Sequence, residues 1–232
     1  MSEANLPMNQ PTPGIVIPSK TKKVKKDSFT KLQSILLILL TLVISVGGYY
    51  GIGKTFFWGN LDMKRVDAQL EYLKQKVQAT PSDPKARVEL GYTYFLKGKN
   101  DLAIQELNQV LLLDPKNFDG YYNLGIVMLD EKRYNEALEK FQKAVDLSPR
   151  DYKGHLQKGV TYRNLGMYKE ASAAVAQANK LLPGNADIIY ETGRIAEAQG
   201  QKDAAIDIYK EALSYDPLFK DAVTALQRLE KK

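Results

Sequence analysis

The chain has 232 residues, 33 Lys and Arg against 27 Asp and Glu, a net charge of +6 and no cysteine. Without cysteine there is no disulfide, no thiolate nucleophile and no cysteine-held metal site. The positive balance is local: residues 1–31 hold six lysines against Glu3 and Asp27, which leaves 27 basic and 25 acidic residues for the rest. A nearly neutral remainder lacks the basic surface that nucleic acid requires, so no nucleic acid is expected as a partner.

Residues 1–31 also carry four of the ten prolines, with Asn, Ser and Lys, and read as a disordered basic tail. Residues 32–52 follow as a transmembrane helix. Its first part, LQSILLILLTLVISV, has no charge, and about 20 apolar residues in helical form cross a hydrocarbon core of about 30 Å. Lys20, Lys22, Lys23, Lys25, Lys26 and Lys31 precede it, and Tyr49, Tyr50, Phe56, Phe57 and Trp58 follow at the level of the headgroups. Positive charge stays in the cytoplasm, so the amino end is expected inside and the remainder outside a plasma membrane, as a single-pass protein. A cleaved signal peptide is the alternative, and Ser45-Val46-Gly47 weakly imitates its cleavage site. The long charged region ahead, and an apolar run exceeding the usual core of about 7–15 residues, favour the anchor.

Residues 53–60 form a juxtamembrane linker. Across the end of the apolar run, Gly48 to Thr55 spells the phosphate-loop letters G-x-x-x-x-G-K-T. That loop works between a strand and a helix of an α/β sheet. Here an apolar span precedes it and helical repeats follow, so a nucleotide-binding enzyme stays a secondary reading.

From there on the chain repeats. Pro81, Pro115, Pro149, Pro183 and Pro217 stand 34 residues apart, as do Gly91, Gly125, Gly159 and Gly193, and Ala103, Ala137, Ala171 and Ala205. A fixed period of this length marks a solenoid of stacked supersecondary units. In one unit Tyr121, Leu124, Gly125 and Met128 share a helical face, and after a turn around residues 130–133 so do Ala137, Leu138, Phe141, Ala144 and Val145. Proline ends the second helix by disfavouring helical geometry in the residue before it. A mid-helix glycine costs about 1 kcal/mol against alanine. Its recurrence calls for close helix packing, with the alanine of the second helix as the facing small residue.

Leu90-Gly91 with Tyr94, Ala103 with Leu107, Leu124-Gly125, Ala137 with Phe141, Gly159 with Tyr162, and Gly193 with Tyr209 resemble the tetratricopeptide repeat family over residues 84–217. The chain departs from the family at its early tryptophan, where Arg87, Tyr121, His155 and Ile189 stand, and at Val175 and Ala196 in two aromatic places. The expected fold is all-α: one transmembrane helix, then a right-handed α-solenoid of a half-repeat, four helix pairs and a capping helix. The boundaries are 61–83 for the half-repeat helix, 84–117, 118–151, 152–185 and 186–219 for the pairs, and 220–232 for the cap. Gln227 takes the glycine phase in the cap, where no second helix follows.

The resemblance implies a protein-interaction scaffold whose first helices line a concave groove for a peptide or helical segment of a partner. Transferred to this chain, the partner-binding residues are Tyr92, Phe95, Tyr122, Ile126, Leu129, Arg163, Tyr190 and Arg194. Val88 and Leu156 fall on the same stripes and read as packing between repeats. The family's clamp for a terminal carboxylate retains Asn123 and Lys153, while Val88 and Tyr92 replace its lysine and asparagine in the first repeat. The single histidine, His155, has no serine or cysteine beside it to activate and reads as a packing residue. No enzyme activity, cofactor or metal is expected. The basic tail, the single anchor and the lack of any N-x-S/T site fit a bacterial envelope or secretion-type complex.

Overall fold

The computed structural model describes residues 59–231, with side chains from Met63 onward. The basic tail, the apolar run 32–52 and the letters at 48–55 lie outside the described residues. Among the described residues there are ten α-helices and no strand: α1 Gly59–Ala79, α2 Pro84–Leu96, α3 Asn100–Leu113, α4 Phe118–Asp130, α5 Tyr134–Leu147, α6 Tyr152–Asn164, α7 Tyr168–Leu181, α8 Ala186–Ala198, α9 Lys202–Tyr215 and α10 Lys220–Glu230. No helix among them is long and apolar enough to cross a membrane.

Each helix pair starts and turns by the same local chemistry. Asp83, Asn117, Asp151 and Asn185 stand one period apart, and their side chains accept backbone N–H groups at the start of α2, α4, α6 and α8. A helix start leaves such donors without partners, and these oxygens supply them. The second helices have no side-chain cap. Their approach turns instead use a left-handed residue: Gly98, Gly166 and Gly200, and in the second repeat Lys132 at φ 60°.

The periodic glycines face the alanines as expected, with the Ala103 and Ala171 carbonyls 3.3 Å from a Cβ placed on Gly91 and Gly159, and they meet a second, larger neighbour more closely. A Cβ on Gly91 would stand 2.8 Å from Leu107 Cγ, and one on Gly193 2.6 Å from Tyr209 Cε1. Gly125 faces Phe141 and Gly159 faces Val175 in the same way. The glycine is thus a socket for the large residue four places beyond the alanine. The small alanine lets the two backbones approach, and the large side chain fills the remaining space to the density of a protein interior. Val175, in a place where the family has an aromatic residue, fills its socket equally and is 2% exposed.

The missing tryptophans are replaced in two repeats by a shared hydrogen bond. Arg87 Nε donates to the Pro81 carbonyl at 2.8 Å, and His155 Nε2 lies 2.9 Å from the Pro149 carbonyl. His155 therefore ties a turn to its helix.

Both ends are closed by polar residues in phase with the repeat. In α1, Leu70, Leu73 and Val77 are buried against α2 and α3, while Gln69 and Lys76 occupy the phases of Ala103 and Val110. In α10, Ala222, Ala225, Leu226 and Leu229 are buried, and Gln227 and Arg228 face outward. Arg228 and the Tyr209 hydroxyl both donate to Glu197 Oε2, at 2.7 and 2.9 Å, which fastens this last helix to the preceding pair. Along the stack, α2 touches α4, α4 touches α6 and α6 touches α8, while the second helices have no comparable contact with one another. The first helices are consequently the inner wall.

Candidate functional site

Residues four and seven apart project from one side of a helix, so the inner wall presents a stripe from each first helix. Val88, Tyr92 and Phe95 of α2, with Tyr122 and Ile126 of α4, line one hollow of about 320 Å³, and Glu89 and Asn123 are its polar neighbours. Tyr92 is 43% exposed and rests beside Phe95, ring centroids 6.1 Å apart. Tyr122 is held more firmly: it stacks on Phe118 at 5.7 Å and meets Phe141 edge-on at 5.9 Å. Burial pushes its phenol above the usual tyrosine range.

A second hollow of about 330 Å³ continues from Tyr122 towards α8 and α10. Tyr152, Leu156, Val160, Tyr190 and Phe219 form its apolar part, and Lys153, Gln157, Asp187, Glu191, Arg194 and Asp221 its polar part. Tyr190 meets Phe219 edge-on at 5.1 Å and lies 5.3 Å from Tyr209. The Arg194 guanidinium sits 5.9 Å from the centre of the Tyr190 ring.

Six of the eight residues expected at the groove line one of these hollows: Tyr92, Phe95, Tyr122, Ile126, Tyr190 and Arg194. Val88 and Leu156, expected to be packing residues, line them as well, Leu156 while 9% exposed. Leu129 lines neither; it packs with Tyr122 and Ile126 against Met128, Ala137 and Phe141. Arg163 is also withdrawn. Its side chain is 10% exposed, and its Nε donates to Glu191 Oε1 at 2.5 Å. Glu191 is 3% exposed, and a carboxylate so buried needs a cation beside it. Burial pushes the Glu191 carboxyl above its usual range, and the Arg163 charge opposes that shift. Arg194 Nη1 is 3.7 Å from its other oxygen.

The position of Glu191 has a counterpart in the sequence pattern. Glu89, Asn123, Gln157 and Glu191 stand one period apart, a polar row inside otherwise apolar stripes. Of the two clamp residues that remain, Asn123 donates its amide to the Asp119 carbonyl at 2.8 Å. Among the described residues no group of three or more His, Cys, Asp or Glu side chains is placed to hold a metal ion.

An all-α stack whose first helices form an aromatic inner wall is the architecture of an interaction solenoid. Models of the tetratricopeptide repeat match residues 91–132, 118–151 and 156–219. Similar solved structures include TTC0263, a thermophilic protein of this kind from Thermus thermophilus, at 23% identity and TM-score 0.67, covering 75% of this chain and 95% of that one. YrrB, described as having an unusual peptide-binding site, is 24% identical with TM-score 0.56, covering 72% of this chain and 86% of that one. PilF of Pseudomonas aeruginosa is 18% identical with TM-score 0.62, covering 75% and 79%. No curated protein matches the chain. At these identities the likeness to solved structures concerns the fold. The chain carries tetratricopeptide repeats, a fold that typically serves as a non-catalytic scaffold for protein–protein interaction.

Proposed function

We propose that this protein is a membrane-anchored scaffold that holds a peptide or helical segment of a partner protein against the inner wall of its repeats. One observation carries the binding reading: Val88, Tyr92, Phe95, Tyr122 and Ile126 converge from two successive first helices on one hollow. Apolar and aromatic side chains gathered in a groove, with few polar groups between them, are the usual receptor for apolar anchors of a peptide.

The anchor reading rests on residues 32–52 and the six lysines before them. It places the amino end in the cytoplasm and the repeats at the outer face of a plasma membrane, in a bacterial envelope or secretion-type assembly. Charged groups at the far end of the groove, Asp187, Arg194 and Asp221, then set which segment fits.

A photo-crosslinking amino acid at position 92, compared with one at position 169, tests the binding reading in intact cells. Lys169 is exposed on a second helix. A discrete crosslinked product at position 92 that is absent at 169 supports the inner wall. Equal products at both positions, or a product at 169 alone, would place the contact elsewhere.

A further inference from the structure

We propose that the turns before α8 and after α9 form a contact surface for a second copy of this chain, centred on Leu182, Tyr215 and Leu218. The surface is independent of the groove; the anchor reading above enters only through the concentration at which copies meet.

The turns between repeats are built alike, and two of them depart from the pattern. Thr80, Asp114, Ser148 and Asp216 share one place in these turns, where the fourth turn has Leu182. Ser82, Lys116 and Arg150 share another and are all exposed; the last turn has Leu218 there, 85% exposed. Asp114 and Asp216 each accept the backbone N–H two residues on, at 3.1 and 3.0 Å. The Leu182 side chain has no oxygen to accept such a bond, and it too remains exposed. Gly184, in the same turn, has φ 74°, and a Cβ on it would stand 2.9 Å from Tyr215 Cε1. The exposed Tyr215 ring thus lies on the preceding turn and joins the two departures into one surface. Leu218 projects there as a knob, and Tyr215, held two residues from Leu182, forms a fixed shelf.

Shape, charge and area select the occupant. A peptide seeks a hollow, and Leu218 projects instead. Lipid fits less well, because the stack is entered at its opposite edge, where Asp67 of α1 pairs with Lys97 after α2 at 2.6 Å. A second copy fits the charges. Asp216 and Lys220 flank Leu218 with opposite signs, both exposed and in no ion pair among the described residues. A two-fold axis through the patch brings Asp216 of each copy towards Lys220 of the other, as a self-complementary interface requires. Such exposed pairs set orientation more than strength. An apolar patch of a few hundred Å² falls short of the about 800 Å² per partner of a stable interface. The dimer is therefore weak, and confinement of copies to one membrane raises the concentration that forms it.

The chain has no cysteine, so single introduced thiols report contacts cleanly. Full-length Leu218→Cys and Lys116→Cys are treated with a short bis-maleimide in native membranes. Leu218→Cys should give a dimer, and Lys116→Cys, at the same turn place three repeats earlier, should not. Sedimentation of the full chain in micelles should show a monomer–dimer equilibrium. Leu182→Asp/Leu218→Lys installs residues that the turn at 114–117 already carries, so it should melt like wild type. It should also raise the dissociation constant at least about tenfold. A dimer untouched by that double variant, equal crosslinking at both positions, or a wild type that is monomeric and uncrosslinked throughout overturns the proposal. Crosslinking of position 218 only to a different protein, or its shielding by the bilayer of proteoliposomes without a dimer, also overturns it and assigns the patch to that occupant. None of these outcomes bears on the groove, which position 92 reports.

Discussion

A Cβ built on Gly125 would stand 2.6 Å from Cε1 of Phe141, with two more ring atoms at 2.8 Å. Phe141 is fully buried, so its ring cannot swing out to make room. Gly125→Ala should therefore cost about 1–3 kcal/mol by overpacking. Gln227→Ala, at the same phase of the cap but exposed, should change stability by less than about 0.5 kcal/mol. Urea unfolding of both variants checks this. Equal losses would mean that the socket does not govern the hairpin.

Lys132 takes the left-handed conformation that the other three turns give to glycine. A side chain there crowds the following carbonyl. Lys132→Gly should raise stability by about 0.5–1 kcal/mol, the relief of strain exceeding the entropy that glycine adds to the unfolded chain. A lower unfolding midpoint for the variant would show that Lys132 makes compensating contacts.

The buried Glu191 makes stability depend on pH. Its carboxyl titrates above the usual range because burial outweighs the Arg163 charge. A folded pKa above the unfolded value means that the folded state binds the proton more tightly. The resulting stability is full below the unfolded value and is lost as pH rises through the folded one. Relative to Glu191→Gln, the wild type should thus lose stability as pH climbs from about 4.5 towards neutrality. Unfolding midpoints of both proteins across that range provide the measurement. A wild-type advantage that grows with pH would mean that the ion pair dominates.

The expected topology has its own test. A reporter active only outside the cytoplasm, fused after Lys232, should be active. Replacing Lys20, Lys22, Lys23, Lys25 and Lys26 by glutamine should reduce that activity, because those lysines hold the amino end inside. Strong signal from a cytoplasm-only reporter at the same site contradicts this orientation.

The helical stack was legible because its causes are local and repeated. Proline stops, glycine sockets and small residues recur in phase, and each copy reinforces the reading of the others. The large side chain that fills each glycine socket was not, since helical spacing names the face a residue lies on but not every neighbour across the interface. Arg163 and Leu129 line neither hollow, for a related reason. Each stands on the groove stripe by phase, yet Arg163 is drawn inward by Glu191 on the next first helix, and Leu129 turns to the Phe141 cluster. Such choices depend on a side chain of another helix, in the next repeat for Arg163 and in the same repeat for Leu129. The aromatic lining of the first hollow was readable because α2 and α4 place the same phases side by side.

The central claim is that the inner wall binds the partner, and Tyr92 gives its cleanest test. Tyr122 is braced by Phe118 and Phe141, so truncating it would disturb the fold as well as the groove. Tyr92 is 43% exposed and can be truncated with little loss of packing. Aromatic anchors of an interface commonly contribute about 2 kcal/mol when removed, roughly a thirtyfold loss of affinity. The decisive measurement is recovery of crosslinked partner from solubilised membranes with wild type, Tyr92→Ala and Lys169→Ala, alongside their thermal unfolding. The account predicts that Tyr92→Ala unfolds like wild type but loses the partner, and that Lys169→Ala retains it. Full recovery with Tyr92→Ala and loss with Lys169→Ala would contradict it.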